Sequence, residues 1–229
     1  MGKIDDIQAY KEWTEYHRSL KRDKAADNLS PVERKKKLEK LEANVIEWIL
    51  FFFSEFAKYP FTKFHKKAIK RITTNMEWYE VLSWSRELAK STIVFMCMMY
   101  LVLTGKKKNV LLISNSHENA VRLLEPYKKA FESNSMLKAY YGDLREFGSW
   151  TADEFTLTTG ATFRAIGALE SPRGTRKDAV RPDTALVDDF DTDADCRNPD
   201  ILKKKWEWFE EALFPTRSIS EDLLVIFCG

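Results

Sequence analysis

A chain of 229 residues, 44% hydrophobic and 31% charged, is long enough to bury one substantial core and has the balance of a soluble globular protein. Its net charge of +2 is too small to announce nucleic acid by itself, so any DNA contact must come from local patches. Three widely separated cysteines, Cys97, Cys196 and Cys228, form no C-x-x-C pair, which argues against a zinc ribbon or disulfide scaffold and suits a reducing compartment.

In chain order, the polar segment after Met1 lacks the pattern of a signal peptide. Residues 1–43 are charged and helix-forming. Ser30-Pro31-Val32-Glu33 predicts a helix start, with Ser as cap, Pro in the first turn and Glu closing a capping box. The basic run over 34–40 reads first as its exposed face, and this helix could instead bind DNA or a partner subunit. Residues 44–56 carry Trp48, Phe51, Phe52, Phe53 and Phe56 at mostly helical spacing, which predicts a core-packing helix. Tyr59-Pro60-Phe61 is extended and leads into a further helix reaching Arg71. An aromatic at that point could stack on a purine or anchor the preceding helices, and both readings stand. His65 has no partner at metal-ligand spacing and reads as structural. We expect a helical appendage over 1–58 and an α/β domain over 59–229.

From Asn75 onward strands and helices alternate. Strands are predicted over 78–83, 109–114, 184–187 and 223–227, and helices over 91–103, 118–133 (capped by Ser116) and 199–214. Residues 154–159 and 162–167 read as a hairpin around Gly160-Ala161, and 171–183 as a polar, basic loop. The helix over 199–214 would carry Trp206, Phe209 and Leu213 on one face. The apolar run over 93–103 is too short to span a bilayer, which takes about 20 residues, so it reads as a buried helix of a cytoplasmic protein without membrane contact. The alternation predicts an α/β sheet with ligands at the carboxyl ends of its strands.

Chemistry concentrates in two places. Ser85-Arg86-Glu87-Leu88-Ala89-Lys90-Ser91-Thr92 follows a short strand and opens the buried helix, the layout of a phosphate loop (Walker A). In such a loop backbone N–H groups face the anion, the Lys reaches the β- and γ-phosphates, and the hydroxyl binds Mg²⁺. Trp84 and Ala89 stand at the two glycine positions of the usual pattern. About a hundred residues later Ala185-Leu186-Val187-Asp188-Asp189 delivers two carboxylates from an apolar strand (Walker B), one suited to a metal and one to the attacking water. An Arg inside the loop, Arg86, could neutralise charge on a γ-phosphate. Arg173, Arg176, Lys177 and Arg181 form a concentrated basic stretch that could contact phosphates or a neighbouring subunit, or lie solvated.

The loop over 85–91 resembles the variant phosphate loop of tailed-bacteriophage large terminase subunits, which carry Arg early and tolerate Ala before Lys. Phe61 to Lys66, Arg173-Gly174 before Arg181-Pro182-Asp183, Val187-Asp188-Asp189 and the strand reaching Gly229 resemble further segments of that family. The resemblance covers roughly 60–229. It implies an ASCE-type P-loop ATPase core (additional strand, catalytic Glu) with a mainly parallel sheet flanked by helices, using ATP and Mg²⁺ to drive viral double-stranded DNA into a procapsid. It implies Lys90 as phosphate ligand, Ser91 and Asp188 as Mg²⁺ ligands, Arg86 as an arginine finger in cis, and Asp189 in the place of the catalytic Glu. A small terminase subunit, a portal protein and a homo-oligomeric ring are implied partners. The coupling strand falls at the chain's end, so the expectation is a C-terminally truncated core without the nuclease domain. A non-hydrolysing nucleotide-binding or assembly module and a helicase-like DNA-dependent ATPase are the alternatives.

Overall fold

A computed structural model describes residues 29–57, 59–85, 87–172, 181–217 and 222–229. Arg86, Arg173, Arg176 and Lys177 lie outside the described residues. Helix α1 (Pro31–Glu42) starts with the predicted reciprocal cap: the Glu33 amide donates to Ser30 Oγ, and the Ser30 amide donates to the Glu33 carboxylate at 3.0 Å. Asn44 caps α2 (Val45–Phe52), whose Trp48, Phe51 and Phe52 are buried together with the following Phe53. Phe56, grouped with them by sequence, remains partly exposed because the helix has already ended. Helix α3 (Lys63–Thr74) follows and leads into strand β1 (Trp78–Leu82).

The remaining elements are α4 (Lys90–Leu103), β2 (Asn109–Ser114), α5 (His117–Ser133), α6 (Ser135–Tyr141), β3 (Arg145–Trp150), β4 (Glu154–Leu157), β5 (Thr162–Gly167), β6 (Thr184–Asp188), α7 (Pro199–Glu207) and β7 (Leu224–Cys228). They build a mixed α/β fold around one seven-stranded sheet in the order β1-β7-β6-β2-β5-β4-β3. β1, β7, β6, β2 and β5 run parallel, and the β4–β5 hairpin turns the sheet antiparallel at its far edge. β7, last in sequence, is thus inserted between β1 and β6, the additional strand that the ASCE-type expectation requires.

Strand alternation divides the core between the two faces of the sheet. Val110, Leu112, Leu186, Leu224 and Ile226 face α2 through α5, where residues 93–102 of α4 are wholly buried. Leu111, Ile113, Val187 and Val225 face Phe190, Phe209 and Leu213. Among the described residues no helix is long and apolar enough to cross a membrane, and Cys97, Cys196 and Cys228 carry free thiols.

Three expectations need correction. The helix predicted over 199–214 is α-helical only to Glu207; Trp208–Leu213 widens to a π-helix and Phe214–Thr216 tightens to 3-10. The wider turn sends Phe209 and Leu213 into the core while Trp206 stays 43% exposed, against the Phe227 ring at 5.4 Å. Strand β3 was not expected, since Arg-Glu-Phe-Gly-Ser-Trp has no clear alternation; pairing with β4 creates it, with an irregular register and a fully exposed Phe147. A separate helix α6, capped by Asn134, also escapes the pattern.

Candidate phosphate-binding site

The parallel strands β1, β6 and β7 end together, and the segment leaving β1 passes over their carboxyl ends to start α4. Ala89, the cap residue of α4, adopts a left-handed conformation (φ 56°, ψ 28°) and contributes no side-chain cap. That is the backbone a glycine would ordinarily supply. Its carbonyl accepts the Ile93 amide at 2.8 Å, so the helix propagates despite the strained start. Glu87 is also left-handed (φ 70°), giving the loop two bends within three residues. An uncapped helix N-terminus presents N–H donors and the positive end of the helix dipole.

The loop is braced from below. The Thr62 amide donates to His65 Nδ1 at 3.3 Å, and His65 Nε2 lies 3.0 Å from the Leu88 carbonyl. One tautomer, protonated on Nε2, satisfies both contacts. Phe64 and His65 pack on Trp84 with ring centroids 5.0 and 5.4 Å apart. The residue at the first glycine position therefore stacks as a wedge between the loop and α3. His65 thus ties the amino end of α3 to the segment that leads into α4.

The two sequence stretches meet at one hydrogen bond. Ser91 Oγ, in the first turn of α4, donates to Asp188 Oδ2 at 2.8 Å across a separation of 97 residues. Asp188 is half-buried, and burial pushes its carboxyl above the usual aspartate range against the opposing Ser91 bond. The Lys90 ammonium donates to the Gly229 carbonyl just beyond β7. Ser85, Glu87, Leu88 and Ala89 are exposed along the loop, and Thr92 is half-buried behind Ser91. Asp189 is exposed and left-handed (φ 47°), one residue beyond the strand that carries Asp188.

These residues could hold a magnesium ion, which commonly takes only one or two protein oxygens. Ser91 Oγ and Asp188 Oδ2 are such a pair, and among the described residues no larger His, Cys, Asp or Glu cluster of a dedicated metal centre exists. Arg181 sits apart from the site. It precedes β6 at the opposite end of the strand from Asp188 and donates to the Thr216 carbonyl at 3.3 Å. A residue without motif signal, Lys205 of α7, enters the neighbourhood by donating to the Phe190 carbonyl directly after Asp189.

No protein-family model matches the sequence, and no curated protein matches it. Among solved structures, the Thermus phage P74-26 large terminase ATPase domain is 17% identical, with 77% of this chain and 67% of that one covered and a TM-score of 0.46. The HK97 bacteriophage large terminase is 14% identical over 74% of this chain, with a TM-score of 0.49, and the match spans 33% of that protein's length. The likeness to these two phage large terminases is one of framework.

Proposed function

We propose that this chain is the ATPase motor domain of a phage large terminase subunit, hydrolysing ATP to move viral double-stranded DNA into a procapsid. The observation that carries the ATPase part is the Ser91–Asp188 hydrogen bond, which joins the first turn of the helix after the loop to the end of β6. The packaging role rests on the resemblance of the loop, the Arg-Gly segment and the acidic strand to terminase motifs.

In this reading the γ-phosphoryl group lies over the N-terminus of α4. Lys90 leaves the Gly229 carbonyl for the β- and γ-phosphates, exchanging a neutral acceptor for an anionic one and so gaining strength. Ser91 and Asp188 hold Mg²⁺, which when bound neutralises developing charge on the phosphoryl oxygens. Asp189 accepts a hydrogen bond from the water that attacks phosphorus in line, and ADP leaves with the bonding electrons. Arg86 stabilises charge in the transition state, and Arg173, Arg176, Lys177 and Arg181 contact DNA or a neighbouring subunit. A small subunit, a portal and a ring of copies complete the proposed machine.

A non-hydrolysing nucleotide-binding module is the second reading, favoured by the short carboxylate of Asp189 where a Glu is usual. Mg²⁺-dependent ATP binding and turnover, with DNA supplied, separate the two. We expect Lys90→Ala to lose binding and Asp189→Asn to keep binding but lose turnover by about 100-fold or more. Binding without turnover in the unmodified chain would favour the module. No binding at all would remove the phosphate-loop reading.

A further inference from the structure

The geometry points to Lys205 as a positioning residue for Asp189, acting through the backbone; the inference rests on the ATPase reading for its catalytic consequence. Asp189 is left-handed (φ 47°), a conformation that Asp tolerates better than most L-residues but still prefers to leave, so the contacts of its backbone decide whether it is kept. Three consecutive peptide units are tied here by three different elements. The Asp189 amide donates to the Cys228 carbonyl of β7 at 3.4 Å, and the Asp189 carbonyl accepts the Asn115 amide, just after β2, at 3.2 Å. The Phe190 carbonyl accepts Lys205 Nζ at 2.6 Å. The first two contacts are long. The third is short and charge-assisted, and its donor is only 4% exposed.

Burying an ammonium is costly unless acceptors surround it. Lys205 meets that condition entirely within the segment after Asp189. Besides the Phe190 carbonyl it bonds Asp195 Oδ2 at 2.6 Å, lies 3.6 Å from Asp191 Oδ1 and sits over the Phe190 ring. The Phe190 ring in turn packs against Trp206, Trp208 and Phe209, so α7 and the π-turn clamp this peptide from both its polar and apolar sides. Without the ammonium the Phe190–Asp191 peptide is free to rotate, Asp189 relaxes toward an ordinary backbone conformation, and its carboxylate swings away from the γ-phosphoryl position. Binding would not change, because Lys90, Ser91 and Asp188 belong to other contacts.

A purely structural role for Lys205, pinning the turn over 192–195, makes a different prediction. The Asp195 amide donates to Thr192 Oγ1 at 3.1 Å, so Thr192→Val disturbs that turn without touching an acceptor of Lys205. The test compares Lys205→Met and Thr192→Val in the full chain by amide hydrogen exchange, Mg–ATP binding and turnover. We expect Lys205→Met to speed exchange of the Asp189 amide by about tenfold or more, to lower kcat by a similar factor and to change Mg–ATP affinity by less than about threefold. Thr192→Val should speed exchange at the Asp195 amide but leave the Asp189 amide and kcat near their original values. The inference is overturned if Lys205→Met leaves Asp189 exchange unaltered, or if Thr192→Val lowers kcat as much as Lys205→Met. Lys205→Gln, which keeps the stem and falls one bond short of the carbonyl, gives the same comparison should the Met variant fail to fold. An unmodified chain that never turns over ATP overturns the ATPase reading instead, and the exchange comparison still decides the backbone tie.

Discussion

Ala89 carries a backbone conformation that costs an L-residue about 1–2 kcal/mol, and it does so at the second glycine position of the loop. Glycine would remove that cost and add about 0.5–1 kcal/mol of unfolded-chain entropy. Ala89→Gly should therefore stabilise the protein by about 0.5–1 kcal/mol, measured as a higher urea midpoint with an unchanged slope; a lower midpoint would show that the left-handed bend is not the native one. At this scale the site was partly legible. Lys90, Ser91 and Asp188 declare themselves because a strand end followed by Lys-Ser and a strand end followed by Asp-Asp are patterns of neighbouring residues. Lys205, Lys107 and the loop-bracing role of His65 do not, because a lysine on a helix looks solvated and a histidine without partners in sequence looks idle. Their partners are backbone carbonyls from distant segments, and carbonyls have no letter in the sequence.

Between elements, a polar weld joins α3 to β1. Arg71 Nε donates to Glu80 Oε2 at 2.8 Å, a second guanidinium nitrogen bonds Oε1, and Trp78 Nε1 donates to Oε2 at 2.7 Å. Burial pushes the Glu80 carboxyl up, but the Arg71 and Trp78 bonds outweigh it and leave the group below its ordinary value. A depressed glutamate contributes stability above its unfolded pKa, and that contribution is lost as pH falls through the folded one. Arg71→Met strands a nearly buried carboxylate and should cost about 3 kcal/mol at neutral pH, the low end for a broken buried pair because Arg71 is a third exposed. The cost should shrink as pH falls from neutrality, because Glu80 in the variant, buried without its guanidinium, takes up a proton before it does in the unmodified protein; denaturation series at neutral and acid pH check it. A constant cost would mean that the guanidinium acts by packing rather than charge. Elements with strong local signals, such as the Ser30 capping box and the unbroken apolar strand β2, were readable in advance. Strand β3 and the π-turn were not, since the first exists through its pairing with β4 and the second through the pull of Phe209 and Leu213 into the core.

Across the whole molecule, the strands that carry the site are held differently at their two ends. At the amino ends a buried lysine, Lys107, donates from one ammonium to the carbonyls of Met76, Asp183 and Asp222 at 2.9, 3.0 and 2.9 Å, gathering the chain as it enters β1, β6 and β7. At the carboxyl ends, the side-chain links from the α4 start to β6 and to the residue after β7 are Ser91–Asp188 and Lys90–Gly229, among the described residues. One end is a buried three-carbonyl pin, and the other is a pair of contacts that, in the proposed ATPase reading, phosphate and metal would replace. A ligand that binds the native state at about 100 times its Kd adds about 2.7 kcal/mol, which for a chain of this size raises Tm by roughly 5–10 °C. Mg–ATP, or a non-hydrolysable analogue, should produce that shift in the unmodified chain and in Lys107→Met, whose own Tm is lower because the pin is gone. Lys90→Ala should show no shift. The independence of the two ends is the substance of the prediction, since perturbations that share no partners add in free energy. A Lys107→Met variant that melts lower and also ignores Mg–ATP would mean that the amino-end pin sets the geometry of the phosphate loop, and the two ends of the sheet would have to be treated as one coupled unit.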